Sequence, residues 1–290
     1  MFREINLSDK IWMDRCRDIA PQVMTVVSFP AVYTWQSTFG LTIDGDSRFY
    51  VIRSEADGGY YYPVGETDAC RAYVLSLMQS SGFLKLIYVP EQELGWLESI
   101  GFDITCDANT SEYVYSSRSL ALLDNGSGTN YRVKIRHFSR DCVWSVRPLS
   151  FPEDEALLRE KATAWDRTIT DHSDSEDRLA VLCAVENPAA IDLSGVYIET
   201  DTGEWAFLLG YPSTDRIYDL SFVKYSPKIS RNAVPVCICE MAKRVCDTWP
   251  MINLEDDLGI EGIRKMKTLY HPLCLLDSYT ACIRKQPSPL

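Results

Sequence analysis

The chain has 290 residues, 46% apolar and 24% charged, with 29 basic and 41 acidic side chains for a net charge of −12. That composition supports a packed core and argues against intrinsic disorder, while the acidic excess argues against a bare duplex-DNA binder. No apolar run reaches the ~18 residues of a membrane span, and Met1-Phe2-Arg3-Glu4-Ile5-Asn6 lacks the cationic-then-apolar layout of an export signal, so a cytoplasmic protein without an integral membrane segment is expected.

Ser8 to Ala20 reads as a helix capped by Ser8, with Ile11, Trp12, Arg15 and Ile19 near helical spacing. Leu41 to Ile43 and Phe49 to Ile52 read as two strands around an Asp44-Gly45-Asp46-Ser47 turn, and Asp57-Gly58-Gly59 as a second turn before Tyr60-Tyr61-Tyr62. Thr67 to Ser80 is predicted as a helix, Leu84 to Val89 as a strand, and Glu91 to Ile100 as a helix closed by Gly101. After the Asp124-Asn125-Gly126-Ser127-Gly128 loop comes a basic helix with Arg132, Lys134, Arg136 and Arg140, then a strand that stops at Pro148.

The second half repeats the style. Glu153 to Thr168 is predicted as a helix, Asp171 to Asp177 as an acidic loop or the start of the next helix, and 195–199, 205–211 and 217–225 as three strands. Arg231 to Cys246 follows as an apolar helix with Pro235 in its first turn, where proline is tolerated. Met251 to Asn253 is a strand, Gly259 to Leu269 a helix, and Leu273 to Leu276 with Tyr279 to Ile283 a closing hairpin around Asp277-Ser278. Meander strands mixed with returning helices give an α+β pattern, and the likeness between the halves predicts two related domains, 1–148 and 149–290.

Common catalytic motifs are missing. There is no Gly-x-x-x-x-Gly-Lys-Ser/Thr loop, no Gly-x-Ser-x-Gly elbow and no His-Glu-x-x-His. The ten cysteines are scattered through apolar stretches and read as thiols rather than disulfides. Cys237-x-Cys239 is the nearest thing to a metal motif, but two positions apart on a helix point to different sides, so no metal site is predicted.

One segment concentrates chemistry. If the strand at Met251 runs on, Asn253, Glu255 and Asp257 share one side at period two, and Gly259 opens a helix whose N-terminus lies beside those carboxylates. One turn on, Arg264 and Lys267 share a helix face. Asp257 could simply cap the helix and Glu255 simply pair with Lys267 or Arg264. In the functional alternative, Glu255 and Asp257 accept an ammonium group or its proton. Arg264 and Lys267 then position a carboxylate, phosphate or oxyanion, and Asn253 orients an acyl carbonyl. Tyr270 is a candidate acid toward a leaving group, or a packing residue. Lys134 and Arg136, in the basic helix, are a candidate anion patch or a solvated face.

Asn253-x-Glu255-x-Asp257-Leu258-Gly259, Gly262-x-Arg264-Lys265-x-Lys267 and Tyr270-x-Pro272 together resemble the signature of the phosphatidylglycerol lysyltransferase C-terminal domain family, which includes stand-alone bacterial proteins. Tyr33-x-Trp35, Glu112-Tyr113-Val114-Tyr115 and the basic stretch from Tyr131 to Phe138 extend the likeness over nearly the whole chain. The resemblance implies two tandem acetyltransferase-like (GNAT-type) domains, each a mixed, mainly antiparallel sheet flanked by helices, a fold also found in Fem-type aminoacyltransferases. It implies a transferase moving an aminoacyl or acyl group directly to an amine or hydroxyl. No cofactor is required, aminoacyl-tRNA or acyl-coenzyme A is the candidate donor, and contact with a tRNA acceptor end is an implied partnership. A non-catalytic module of the same fold, sensing an amino-acid-like ligand or a protein partner, is the alternative. In this sequence no stretch reads as the membrane-embedded portion of the full lysyltransferases, so a phospholipid acceptor is not expected, and the basic helix reads Lys134-Ile135-Arg136-His137. Where ordinary acetyltransferases carry a glycine-rich coenzyme A loop it has Ser230-Arg231-Asn232-Ala233-Val234-Pro235.

Overall fold

A computed structural model describes residues 1–20, 24–80, 82–123, 128–168 and 176–284. In chain order come α1 (Asp9–Asp18), α2 (Phe29–Phe39), β1 (Leu41–Asp46), β2 (Phe49–Ser54), β3 (Gly59–Tyr61), β4 (Val64–Gly65), α3 (Thr67–Ser80), β5 (Phe83–Val89), α4 (Leu94–Ser99) and β6 (Asp103–Cys106). Then follow β7 (Glu112–Ser116), α5 (Ser117–Leu122), α6 (Gly128–Asp141), β8 (Trp144–Pro148), α7 (Glu155–Asp166), α8 (Glu176–Glu186) and β9 (Ser194–Thr200). The chain ends with β10 (Trp205–Pro212), β11 (Ile217–Tyr225), α9 (Ala233–Val245), β12 (Met251–Asn253), α10 (Glu261–Thr268), β13 (Cys274–Leu276) and β14 (Tyr279–Arg284). The expected 124–127 loop and the acids at 171–175 lie outside the described residues; Asp177, on α8, forms an ion pair with the buried Lys224 of β11.

Contacts divide the chain into two units. The first is Met1–Ser111 with the described residues from Leu276 onward, and the second is Glu112–Leu275. The boundary expected at 148/149 falls inside the second unit, because β7 pairs with β12 and β8 with β9 there.

In the first unit the strand order is β1-β2-β3-β5-β14-β6, with β4 beside β2. The β1–β2 hairpin forms as predicted, but its turn is tighter than expected: Asp46 still pairs with Phe49, leaving Ser47 and Arg48 as the loop. α3 lays Ala69, Cys70, Val74 and Leu77 against the core with Val51, Leu84, Leu86 and Val89.

In the second unit the order is β13-β7-β12-β11-β10-β9-β8. Trp205 to Tyr211 of β10 is buried throughout, as a strand covered on both faces must be. α9 packs on β9, β10 and β11, where Val236, Cys237, Met241 and Ala242 enter the core. Cys237 and Cys239 are therefore buried thiols in an apolar environment. The closing hairpin is not formed. β13 joins the second sheet and β14 the first, between β5 and β6, so the two strands either side of Asp277-Ser278 never pair.

Two irregularities of the second sheet matter below. β11 and β12 run parallel for only three pairs, Ile217↔Met251 to Asp219↔Asn253, after which β11 continues to Tyr225 without that partner. On the other side of β11 the register shifts between Leu209 and Gly210. Leu209 faces Phe222 and Gly210 faces Leu220, so Ser221 is the extra residue of a β-bulge.

Candidate active site

The signature segment begins on β12 and leaves the sheet at a left-handed residue. Glu255 has φ 59°, a conformation costly for any side chain but glycine. Its backbone is held from both sides: its N–H donates to Asn253 Oδ1 at 2.8 Å, and its carbonyl accepts the Tyr113 N–H at 3.1 Å. Lys267 completes the clamp. Its buried ammonium donates to the carbonyls of Leu254 at 2.5 Å, Glu255 at 3.1 Å, and Asp256.

This bend overturns the expected period-two alignment. Glu255 turns toward β11, where its Oε1 accepts a hydrogen bond from Ser221 Oγ at 2.5 Å. Ser221 Oγ in turn accepts one from Tyr211 Oη at 3.1 Å. Asp257 instead faces β7 and α10. It accepts Tyr113 Oη at 2.6 Å, Arg264 Nε at 2.7 Å and Nη2 at 2.9 Å, and the Gly259 N–H at 2.9 Å. Gly259 thus meets the carboxylate as expected but does not open the helix; α10 begins at Glu261.

The two carboxyls sit in opposite electrostatic settings. The Arg264 guanidinium, helped by the Tyr113 hydroxyl, holds Asp257 down at about 2. Glu255 is partly exposed as a residue, yet desolvation of its carboxyl, followed by the charge of Asp219, pushes it well above the usual carboxylate range. The Ser221 hydrogen bond and the Lys267 charge pull it partly back. Burial brings Lys267 below the usual lysine range, against the pull of Glu255. Asp219, almost fully buried, stands opposite Asn253 in the parallel pairing.

Asn253 is also committed to structure, since its Nδ2 donates to the buried Glu112 Oε2 at 2.8 Å. Tyr270 is fully buried against Tyr131, ring centroids 3.5 Å apart, and burial raises its hydroxyl to about 12. The half-buried Lys134 places its ammonium 5.5 Å from the centre of the Tyr270 ring, whereas Arg136 is exposed on α6. The structure thus brings Asn253, Glu255 and Lys267 together, sets Asp257 with Arg264 beside them, and places Lys134 with Tyr270.

Other contributors lie outside the segment: Glu112 and Tyr113, noted from sequence only for the family resemblance, and Tyr211, Asp219 and Ser221, which were not singled out. The available signal was Asp219, the one charged residue in the strand run Ile217-Tyr218-Asp219-Leu220-Ser221-Phe222-Val223. Among the described residues no group of three His, Cys, Asp or Glu side chains is placed to hold a metal ion. The segment before α9 offers a pyrophosphate few donors. The N–H groups of Asn232, Ala233 and Val234 are bonded to Ser230 Oγ, Ser230 O and Arg231 O, and Pro235 has none.

Two mixed, mainly antiparallel sheets flanked by helices make this an α+β protein with a tandem acetyltransferase-like (GNAT-type) fold. Residues 26–282 match the family described as phosphatidylglycerol lysyltransferase, C-terminal, and the chain belongs to that family. Its fold is similar to that of a conserved protein of unknown function from Bacteroides thetaiotaomicron (24% identity, 98% of this chain and 99% of that one, TM-score 0.85). It is also similar to L-PGS from Bacillus licheniformis (13% identity, 93% and 95%, TM-score 0.63) and to FemX (9% identity, 97% and 96%, TM-score 0.60). No curated protein matches the chain. Among the described residues, no helix is long and apolar enough to cross a membrane.

Proposed function

We propose that this chain moves an aminoacyl group from an activated ester directly to an amine or hydroxyl acceptor, with Glu255 as the proton-transfer residue. The observation that carries this is the Glu255 carboxyl itself. It is desolvated, fixed by Ser221 and held by a strained backbone at the point where β11 and β12 part. A carboxyl whose affinity for protons is raised above the usual range is a stronger base than an ordinary carboxylate, and it can return the proton it takes. The acceptor N–H or O–H adds to the ester carbonyl, a C–N or C–O bond forms, and Glu255 takes the proton. Collapse of the tetrahedral adduct breaks the C–O bond to the donor, and Glu255 delivers that proton to the departing oxygen.

Arg264, half-exposed and aligned by Asp257, is the group we assign to a substrate carboxylate, a phosphate or the oxyanion. Lys267, Asn253 and Asp257 shape the site, and Tyr270 packs beneath Lys134. The membership of a lysyltransferase family and the engaged amides before α9 favour an aminoacyl ester, such as aminoacyl-tRNA, over a coenzyme A thioester. Arg132, Arg136 and Arg140, all exposed at four-residue spacing on α6, are the surface we assign to the acceptor end of a tRNA.

The test is Glu255→Gln assayed for transfer from labelled aminoacyl-tRNA to a panel of amines and alcohols. Turnover is expected to fall by about 10²-fold or more with the melting temperature kept; undiminished turnover would refute the assignment. The mutual engagement of Asp257 with Arg264, and of Lys267 with three carbonyls, favours one second reading, a binding module for an amino-acid-like ligand. Thermal stabilisation of the protein by free amino acids, with no transfer from any donor, is the result that would select it.

A further inference from the structure

β11 does more than complete the sheet. Asp219 and Ser221 lie two positions apart on it, at and just beyond the end of its parallel pairing with β12; Ser221 bonds the Glu255 carboxyl, and Asp219 faces the asparagine that holds the Glu255 N–H. Ser221 is the bulged residue, which frees its side chain from the alternation of the strand. Its hydroxyl lies between two partners, accepting from Tyr211 Oη at 3.1 Å and donating to Glu255 Oε1 at 2.5 Å. Asp219 stands opposite Asn253, whose Oδ1 holds the Glu255 N–H. The sheet leaves no slack here: a Cβ on Gly210, across from the bulge, would come within 2.2 Å of the Asp219 carbonyl oxygen.

We propose that Asp219 and Ser221 are positioning residues for Glu255, Ser221 fixing its carboxyl by a donated hydrogen bond and Asp219 supplying the opposing negative charge. This rests on the reading of Glu255 given above. The charged and titratable groups facing that carboxyl are Asp219 on β11, Lys267 on α10 and Asp256 beside it in the loop. Glu112 of β7 stands behind Asn253, and Tyr211 of β10 behind Ser221. The two β11 residues act with opposite sign. A hydrogen bond donated to a carboxylate favours its charged form, and a neighbouring carboxylate disfavours it. Removing Ser221 therefore makes Glu255 hold its proton to higher pH, and removing the Asp219 charge makes it release the proton at lower pH.

The experiment follows the Glu255 carboxyl carbon by NMR in glutamate-labelled protein, assigned by its loss in Glu255→Gln, alongside the pH profile of transfer. Ser221→Ala is expected to raise the titration midpoint by about one pH unit and Asp219→Asn to lower it by about one; Ser221→Thr restores the hydroxyl and the original midpoint. Because Glu255 acts as a base, the acid limb of kcat/KM moves with the midpoint in each variant. A midpoint that stays put, moves the same way in both variants, or is not rescued by threonine overturns the proposal. The serine pair decides the matter alone if the buried Asp219→Asn does not fold. Midpoints that move as stated while transfer ignores them overturn the catalytic role of Glu255 and leave its coupling to β11 standing.

Discussion

Replacing Asp257 by Asn keeps the shape of the side chain and deletes its charge. The carboxylate is fully buried and takes two hydrogen bonds from Arg264, one from Tyr113 and one from the Gly259 amide. Together they lower its pKa from 3.8 to about 2. At 1.36 kcal/mol for each pH unit, that difference corresponds to roughly 2 kcal/mol of stability at neutral pH. The sign follows from the direction of the shift. A depressed carboxylate contributes in full above its unfolded value near 4, and the contribution fades as pH falls toward 2. Urea unfolding of both proteins at pH 7 should therefore show the variant weaker by roughly 2 kcal/mol, equivalent to a loss of about 4–8 °C in melting temperature. Repeated between pH 4 and pH 2, the gap between the two should close, since other carboxylates titrate equally in both. A gap under about 0.5 kcal/mol at pH 7, smaller than one ordinary hydrogen bond, would refute the reasoning, as would a gap independent of pH below 4.

Other outcomes follow from the same geometry. Lys267→Met leaves three backbone carbonyls without their shared donor and should cost about 3 kcal/mol in denaturant unfolding. It should also move the acid limb of transfer to higher pH, because the lysine charge helps ionise Glu255. Gly210→Ala forces a methyl into the Asp219 carbonyl oxygen and the Tyr218 ring, 2.2 and 2.7 Å from the ideal Cβ, and should cost about 3 kcal/mol by the same measurement. Charge reversal of Arg132, Arg136 and Arg140 to Glu should weaken tRNA binding and flatten its salt dependence by roughly two to three units of slope. An unchanged slope in filter binding would move the tRNA surface away from α6.

Much of this protein was legible in its residue order. Local periodicity placed the helices Asp9–Asp18 and Thr67–Ser80 and the strands from Ser194 to Tyr225 within a residue or two of the predicted limits. The helix Phe29–Phe39 escaped notice because its apolar and aromatic residues show little one-sidedness. Its start depends on Pro30 in the first turn and on Ser28, whose hydroxyl accepts the Ala31 N–H. The signature segment was also legible as a concentration of Asn253, Glu255, Asp257, Arg264 and Lys267, since charge and spacing are properties of the chain alone.

Partnership was not. Tyr279 to Ile283 looks like the second arm of a hairpin, yet it pairs with strands at 83–89 and 103–106, because a strand's hydrogen bonds go to whichever edge the fold presents. A left-handed backbone at Glu255, held by Asn253, Tyr113 and Lys267, separates two carboxylates that an extended strand would have aligned. Composition and spacing settled which ionisable groups this chain carries and roughly where its regular elements run. Only the packed sheet, through one bulge and one clamped bend, decided that Asp257 is held charged beside Arg264 and Tyr113 while the Glu255 carboxyl is raised above the usual range, since its desolvation and its neighbours Asp219 and Ser221 come from a strand more than thirty positions away.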